Sequence, residues 1–149
     1  NLGVRTSYRV AHGMLREYWR IRRPQSTGAL VAAWHDQELL VVKNSYRREY
    51  TLPGGYVRAH ESASEAAARE LHEEVGVHVA PQDVHTVYDD TLDYEYRRDH
   101  VTISEVTLEK RPALTIDQRE VVWAAFRAPC EILELPLVPH LEAYLRAKQ

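Results

Sequence analysis

LPGGYVRAHESASEAAARELHEEVGV, residues 52–77, joins a Pro-Gly-Gly turn to a helix whose limits can be read residue by residue. Ser62 and Glu65 form a capping-box pair, alanine dominates the interior, and Gly76 stands where a left-handed C-terminal cap belongs. The spacing predicts a helix over 62–75. Within it Glu70, Glu73 and Glu74 lie at i, i+3 and i+4, so the three carboxylates share one face. Like charges at this spacing repel, and these sit near the negative end of the helix dipole. Something positive is expected among them. A hard divalent cation that prefers oxygen ligands answers that need, Mg²⁺ first and Mn²⁺ as a substitute. The competing reading is a solvated acidic face.

Working outward, ALVAAW at 29–34 and ELLVVK at 38–43 flank His-Asp-Gln and read as a β-hairpin before the turn. After the helix, 84–92, 100–108 and 120–126 are rich in β-branched and aromatic residues with partial alternation, which predicts three more strands. Residues 8–23 place Val10, Met14, Tyr18 and Ile21 at helical steps ahead of Pro24, giving an N-terminal helical extension over 1–25. Leu141, Tyr144 and Leu145 carry the same spacing in a closing helix over 136–149. Strands around one central helix, with helices at both ends, make an α+β layered sandwich in a single domain, 1–149. The strand order is not readable from this pattern.

The 149 residues are 44% apolar and 28% charged, within the range of one globular domain able to bury its own core. A formal charge of −3 argues against a face built to coat nucleic acid in bulk. With one cysteine, Cys130, the chain can form no internal disulfide, and a reducing, cytoplasmic setting is expected. No apolar run approaches the roughly 20 residues that cross a bilayer, so no membrane role is expected. Cys130 reads as a small buried side chain, the histidines as surface or packing residues, and Trp19, Trp34 and Trp123 as core or interface aromatics.

The frame around the acidic helix is more specific than the helix alone. Gly55, five residues, Glu61, seven residues, Arg69-Glu70-Leu71, one residue, Glu73-Glu74, one residue and Gly76-Val77 resemble the signature of the Nudix hydrolase family at every specified position. Average residue usage would produce that frame by chance with a probability on the order of one in ten million. The resemblance implies an α/β/α sandwich with a mixed sheet. It also implies hydrolysis of the diphosphate bond in a nucleoside diphosphate linked to another moiety: ADP-ribose, a dinucleoside polyphosphate, a nucleoside triphosphate or a sugar nucleotide.

Carried over residue by residue, Glu73 and Glu74 match the main metal-ligating pair, and the carbonyl of Gly54 matches a further ligand. Glu70 matches a residue that ligates metal or activates water, and Arg69 an arginine that pairs with the carboxylates. Gly55 and Gly76 are the turn and cap glycines, and Glu61 matches a structural position holding the loop to the helix. Glu120 resembles a distal glutamate of many members and is the second candidate for general base after Glu70. Tyr46, Arg47 and Arg48 before the frame, and Tyr94, Tyr96, Arg97 and Arg98 in a loop between two predicted strands, are candidates to stack a base or pin a phosphate. Solvated loops are the alternative there. Tyr94 stands near where dinucleoside polyphosphate hydrolases of the family carry a tyrosine. The proline typical of ADP-ribose hydrolases and the extra motif of coenzyme A hydrolases are missing.

Two other functions stay open: a non-catalytic nucleotide-binding sensor of the same fold, which would tend to have a broken frame, and a carbon-skeleton isomerase. The isomerase would need an activated cysteine, and Cys130 is far along the chain from the frame. The extra N-terminal helix makes a homodimer plausible.

Overall fold

A computed structural model describes residues 2–22, 25–94 and 97–149. Helix α1 (Leu2–Arg22) leads into β1 (Gln25–His35) and β2 (Glu38–Asn44), then the short strands β3 (Tyr50–Thr51) and β4 (Gly54–Tyr56). The acidic helix α2 (Ala63–Val75) follows, then β5 (His85–Tyr94), β6 (Arg97–Thr107), β7 (Val121–Arg127), a one-turn α3 (Pro129–Ile132) and α4 (Pro139–Ala147). Three boundaries differ from the sequence reading. Gln25 opens β1 rather than closing the N-terminal helix, because it pairs with Arg98. Pro136 to Val138 are extended rather than helical: Tyr50 N–H donates to Pro136 O, and Val138 N–H to Tyr50 O. Residues 97 to 99 belong to a strand rather than a loop, paired antiparallel with β5. Pro24, read as the helix stop, lies outside the described residues.

The sheet runs β3-β2-β1-β6-β5, with β4 added to β1 and β7 to β2. It is mixed: β1 and β6 run parallel from Gln25↔Arg98 to Trp34↔Thr107, and the other pairs are antiparallel. Alternation along β1 and β2 sends side chains to two cores, which is why both strands read as nearly unbroken apolar runs. Val31, Ala33, Leu40 and Val42 pack under Ala67, Leu71 and Val75 of α2. Ala32, Leu39 and Val41 pack on the opposite face under Leu141, Tyr144 and Leu145 of α4. The result is the α/β/α sandwich.

One irregularity positions everything functional. β1 and β2 pair only at their tight end, Trp34↔Leu39 and His35↔Glu38, and then diverge. Into the gap fall Pro53, whose carbonyl accepts from Val31 N–H, and β4, which pairs with β1 at Gly28, Ala29 and Leu30. On the other side of the gap β2 follows β7, with a register shift between Lys43 and Asn44. Such bulges re-aim side chains.

At the ends, Arg5 of α1 donates twice to Gln118, to its carbonyl and its side-chain oxygen, both at 2.8 Å. Val10, Met14 and Tyr18 of α1 are exposed. Tyr144 of α4 accepts from Trp34 Nε1 at 2.9 Å and donates to Glu105, tying that helix to the sheet. Cys130 is exposed, contrary to the sequence reading, because the single turn of α3 commits Ile132 to the core and leaves Cys130 facing out. Among the described residues no helix is long and apolar enough to cross a membrane.

Leu71 is fully buried between α2 and the sheet. Replacing it with alanine is expected to cost about 2–5 kcal/mol of unfolding free energy, read from urea denaturation at constant m-value.

Candidate active site

The loop from Gly54 to Ser62 is placed by its hydrogen bonds. Ser62 Oγ accepts from Glu65 N–H at 3.1 Å and Glu65 returns the bond to Ser62 N–H at 2.7 Å, closing the box that starts α2. Gly76 ends the helix at φ 75°, donating to His72 O, in the backbone region where an added Cβ is strained. A Cβ on Gly55 would stand 2.5 Å from Glu70 Oε1, so the absent side chain lets this carboxylate reach the β4 backbone.

Arg69 organises the acids. Its Nε and Nη2 grip Glu61 at 2.7 and 3.1 Å, Nη1 donates to Glu70 at 2.5 Å and to Glu73 at 3.2 Å, and Nη2 also reaches Tyr56 O at 3.2 Å. Arg58 Nη2 adds a longer contact to Glu73, 3.6 Å. Bonds from Arg69 and from Arg58 N–H hold the Glu61 carboxyl down at about 2, and the Glu61 pairing in turn raises the Arg69 guanidinium.

Glu74 is a different case. It is half-buried and accepts from Gly54 N–H at 3.1 Å. Desolvation first, then the neighbouring Glu70, Glu120 and Glu73, pushes its acid well above the usual carboxylate range, against the Gly54 bond. Glu120, on the residue before β7, is raised by desolvation and by Glu70. Its Oε1 accepts a long bond from Tyr46 OH, 3.4 Å, and Tyr46 OH accepts from Asn44 Nδ2 at 2.9 Å. Desolvation raises the Tyr46 hydroxyl as well. The ring of His12, from α1, lies 4.7 Å from the Tyr46 ring.

A cleft of about 300 Å³ opens at the divergence of β1 and β2. Glu70, Glu73 and Glu120 line one part, with Gly54 and Gly55; Tyr46, Arg47 and Asn44 form a wall. Glu74, Glu61, Arg69 and Gly76 do not line it. The Tyr94 side chain and Tyr96 lie outside the described residues. Of the remaining lining, Asp99 and Val101 of β6 and His140 of α4 were not singled out from sequence. The available signal was the alternation Asp99, Val101, Ile103, which extends the predicted strand inward by one more buried position.

Among the described residues, no three acidic, histidine or cysteine side chains converge closely enough to enclose an ion as they stand. Arg69 Nη1, bonded to both Glu70 and Glu73, is the cation now between them. The donor set nevertheless suits a hard divalent ion: every group is an oxygen. Two of the carboxyls, Glu74 and Glu120, are raised, first by desolvation and then by neighbouring carboxylates. Asn44 Oδ1 on the same wall is buried and has no hydrogen-bond partner among the described residues.

A NUDIX domain model matches residues 22–147. The chain belongs to the NUDIX family. With membership comes the reaction class: this is a Nudix pyrophosphohydrolase, an enzyme acting on acid anhydrides. No curated protein matches the chain in sequence. Solved structures share the fold: a MutT protein from Methanosarcina mazei Go1 (TM-score 0.73, 16% identity, 84% of this chain and 93% of that one). So does a C. elegans Ap4A hydrolase in a binary complex (0.69, 16%, 81% and 93%). A third is a bifunctional NMN adenylyltransferase/ADP ribose pyrophosphatase from Francisella tularensis, complexed with AMP and Mn (0.69, 14%, 95% and 47%). α1 falls almost wholly outside the matched NUDIX residues.

Folding lowers the Glu61 pKa from 4.5 to about 2, so this carboxylate stabilises the protein fully above the ordinary carboxylate range and ceases to do so as pH falls through about 2. Glu61→Gln is therefore expected to lower Tm at pH 7, with the gap to wild type closing toward pH 2. Melting curves across that range check it; a gap that is constant with pH contradicts the assignment.

Proposed function

We propose that the protein hydrolyses the diphosphate bond of a nucleoside diphosphate linked to another moiety, with Mg²⁺ as its ion and Mn²⁺ as a substitute. The observation that carries this reading is the convergence of Glu70, Glu73 and Glu120 on one part of a cleft of about 300 Å³, with Glu74 bonded to Gly54 N–H beside them. Glu70, Glu73, Glu74 and the Gly54 carbonyl would hold the ion. When bound, it supplies charge neutralisation at the phosphoryl oxygens and acidifies coordinated water.

The chain's own groups do the rest. A carboxylate takes one proton from the attacking water as its oxygen bonds to phosphorus and the P–O bridge breaks, the leaving phosphate departing with the bridging electrons. Glu70 is the first candidate for this base and Glu120, with its raised pKa, the second. Arg69 fixes the direction of Glu70 and Glu73 rather than touching substrate. Arg47 on the cleft wall is placed to pair with a phosphate, and Tyr46 to stack or hydrogen-bond the nucleoside. Tyr94 stays in the proposal as a substrate contact. Partners are small nucleotides rather than nucleic acid, and the setting is cytoplasmic. A homodimer is favoured by one observation, the exposed apolar Val10, Met14 and Tyr18 on α1.

The intact acid set also separates this reading from a non-catalytic sensor. A panel of ADP-ribose, dinucleoside polyphosphates, nucleoside triphosphates and sugar nucleotides, assayed for phosphate or nucleotide release with Mg²⁺ and with Mn²⁺, should show turnover; binding without turnover on the whole panel contradicts it. Glu73→Gln and Glu74→Gln should each lower turnover by orders of magnitude while the protein stays folded. Of Glu70→Gln and Glu120→Gln, the base variant should lose about 10²–10⁴-fold in kcat while keeping its ion affinity.

A further inference from the structure

α1 lies almost wholly outside the matched NUDIX residues, yet its contacts converge on one catalytic candidate. Of residues 3–18, Arg5 and His12 alone are not exposed, and their spacing puts them on one face of the helix, two turns apart. The apolar Val10, Met14 and Tyr18 are exposed, so among the side chains described these two polar groups, rather than apolar burial, seat the helix. Arg5 grips Gln118 as a fork, Nε to the backbone carbonyl and Nη2 to the side-chain oxygen, both at 2.8 Å. The His12 ring lies against Tyr46, whose hydroxyl reaches Glu120. Both contacts thus fall on neighbours of Glu120, one just ahead of it in the chain and the other beside it on the cleft wall.

The Arg5 fork falls where the backbone needs holding. Gln118 has φ 63°, in the left-handed region that a side chain of this kind adopts only at a cost. Such a residue relaxes unless its surroundings over-determine it, and a planar guanidinium bonded to its carbonyl and its side chain fixes both. Downstream, Asp117 Oδ1 accepts from Arg119 N–H at 2.9 Å and Glu120 O accepts from Ser45 N–H at 2.7 Å, so the turn passes its position on to Glu120. The Tyr46 bond to the Glu120 carboxyl is long, 3.4 Å, so the aim of this group into the cleft depends on the turn beneath it. We propose that Arg5 is a positioning residue of the reaction: by clamping the Gln118 turn it aims the Glu120 carboxylate at the attacking water. α1 is then part of the catalytic unit rather than an appendage to it. The proposal rests on the pyrophosphohydrolase reading above, with Glu120 as the group that takes the water's proton.

The test is kcat and KM, with Mg²⁺, on the nucleotide of the panel that wild type turns over fastest. Arg5→Ala should lower kcat roughly 10-fold, a part of what a well-placed base contributes, and leave KM unchanged. In a Glu120→Gln background Arg5→Ala should cost nothing further, because the group it aims is already lost. Adding Gln118→Gly to Arg5→Ala should return most of the lost rate, since glycine holds φ 63° without the clamp. Arg5 stands on an exposed helix, so each variant should still melt cooperatively, and rates are compared between folded proteins. An unchanged kcat in Arg5→Ala overturns the proposal. So does the same fold-loss in both backgrounds, the signature of a purely structural role, or no recovery with Gln118→Gly. A rise in KM at constant kcat also overturns it, placing Arg5 on the substrate. Glu120→Gln at full kcat does so too, while leaving the pyrophosphohydrolase reading intact with Glu70 as base. Wild type inert on the whole panel defeats that reading instead; hydrogen exchange at the Arg119 and Glu120 amides then tests the clamp, and equal protection in wild type and Arg5→Ala overturns it.

Discussion

Negative charge crowded at one end of the cleft is the constraint on which the site depends. Glu70, Glu73 and Glu74 come from adjacent turns of one helix, and Glu120 is added from the residue before β7. Arg69 supplies the main cation, and Glu61, held in an ionised pair with it, uses much of that charge. Glu74 and Glu120 resist ionisation, first because they are desolvated and then because other carboxylates stand near them. A cluster of this kind has little value as a structural device, since a like-charged helix face costs a few tenths of a kcal/mol per pair and a desolvated carboxylate costs more. The role proposed for it is to receive a doubly charged ion and the phosphates that follow it.

The fold serves this cluster by what it does to two strands. β1 and β2 separate after their first pairs, and the segment from Pro53 to Tyr56 fills the opening. That places the Gly54 and Gly55 backbone against the acidic helix on one side and leaves the cleft on the other. Because β1 is paired along its other edge with β6, the same opening exposes Asp99 and Val101 to the cleft. The backbone at the acidic end and the β6 wall of the cleft are thus set by a single sheet.

Much of this could be read from residues alone, and the parts that could not share a cause. Local signals located α2 almost to the residue: Ser62 with Glu65, the alanine run and Gly76. The apolar runs at 29–34 and 38–43 predicted a β-hairpin, whose strands pair only next to the turn, and the frame from Gly55 to Val77 implied both the sandwich and the reaction class. Pairing partners were out of reach. The parallel match of β1 to β6, the insertion of β4, and the inward turn of Asp99 and His140 depend on contacts between residues far apart in sequence. Cys130 went the other way, exposed because a four-residue helix has one buried face and Ile132 takes it. The pairing of Arg69 with Glu61, Glu70 and Glu73 was expected only through the family resemblance, since spacing does not say which of several carboxylates a guanidinium will choose.

The account stands on the claim that the glutamates of α2 take up a divalent ion. Calorimetric titration of Mg²⁺, and separately Mn²⁺, into the nucleotide-free protein tests it most directly. Saturable binding that Glu74→Gln abolishes in a folded variant is the predicted result. Heats no different from buffer dilution, or binding that survives loss of the Glu74 charge, would contradict it.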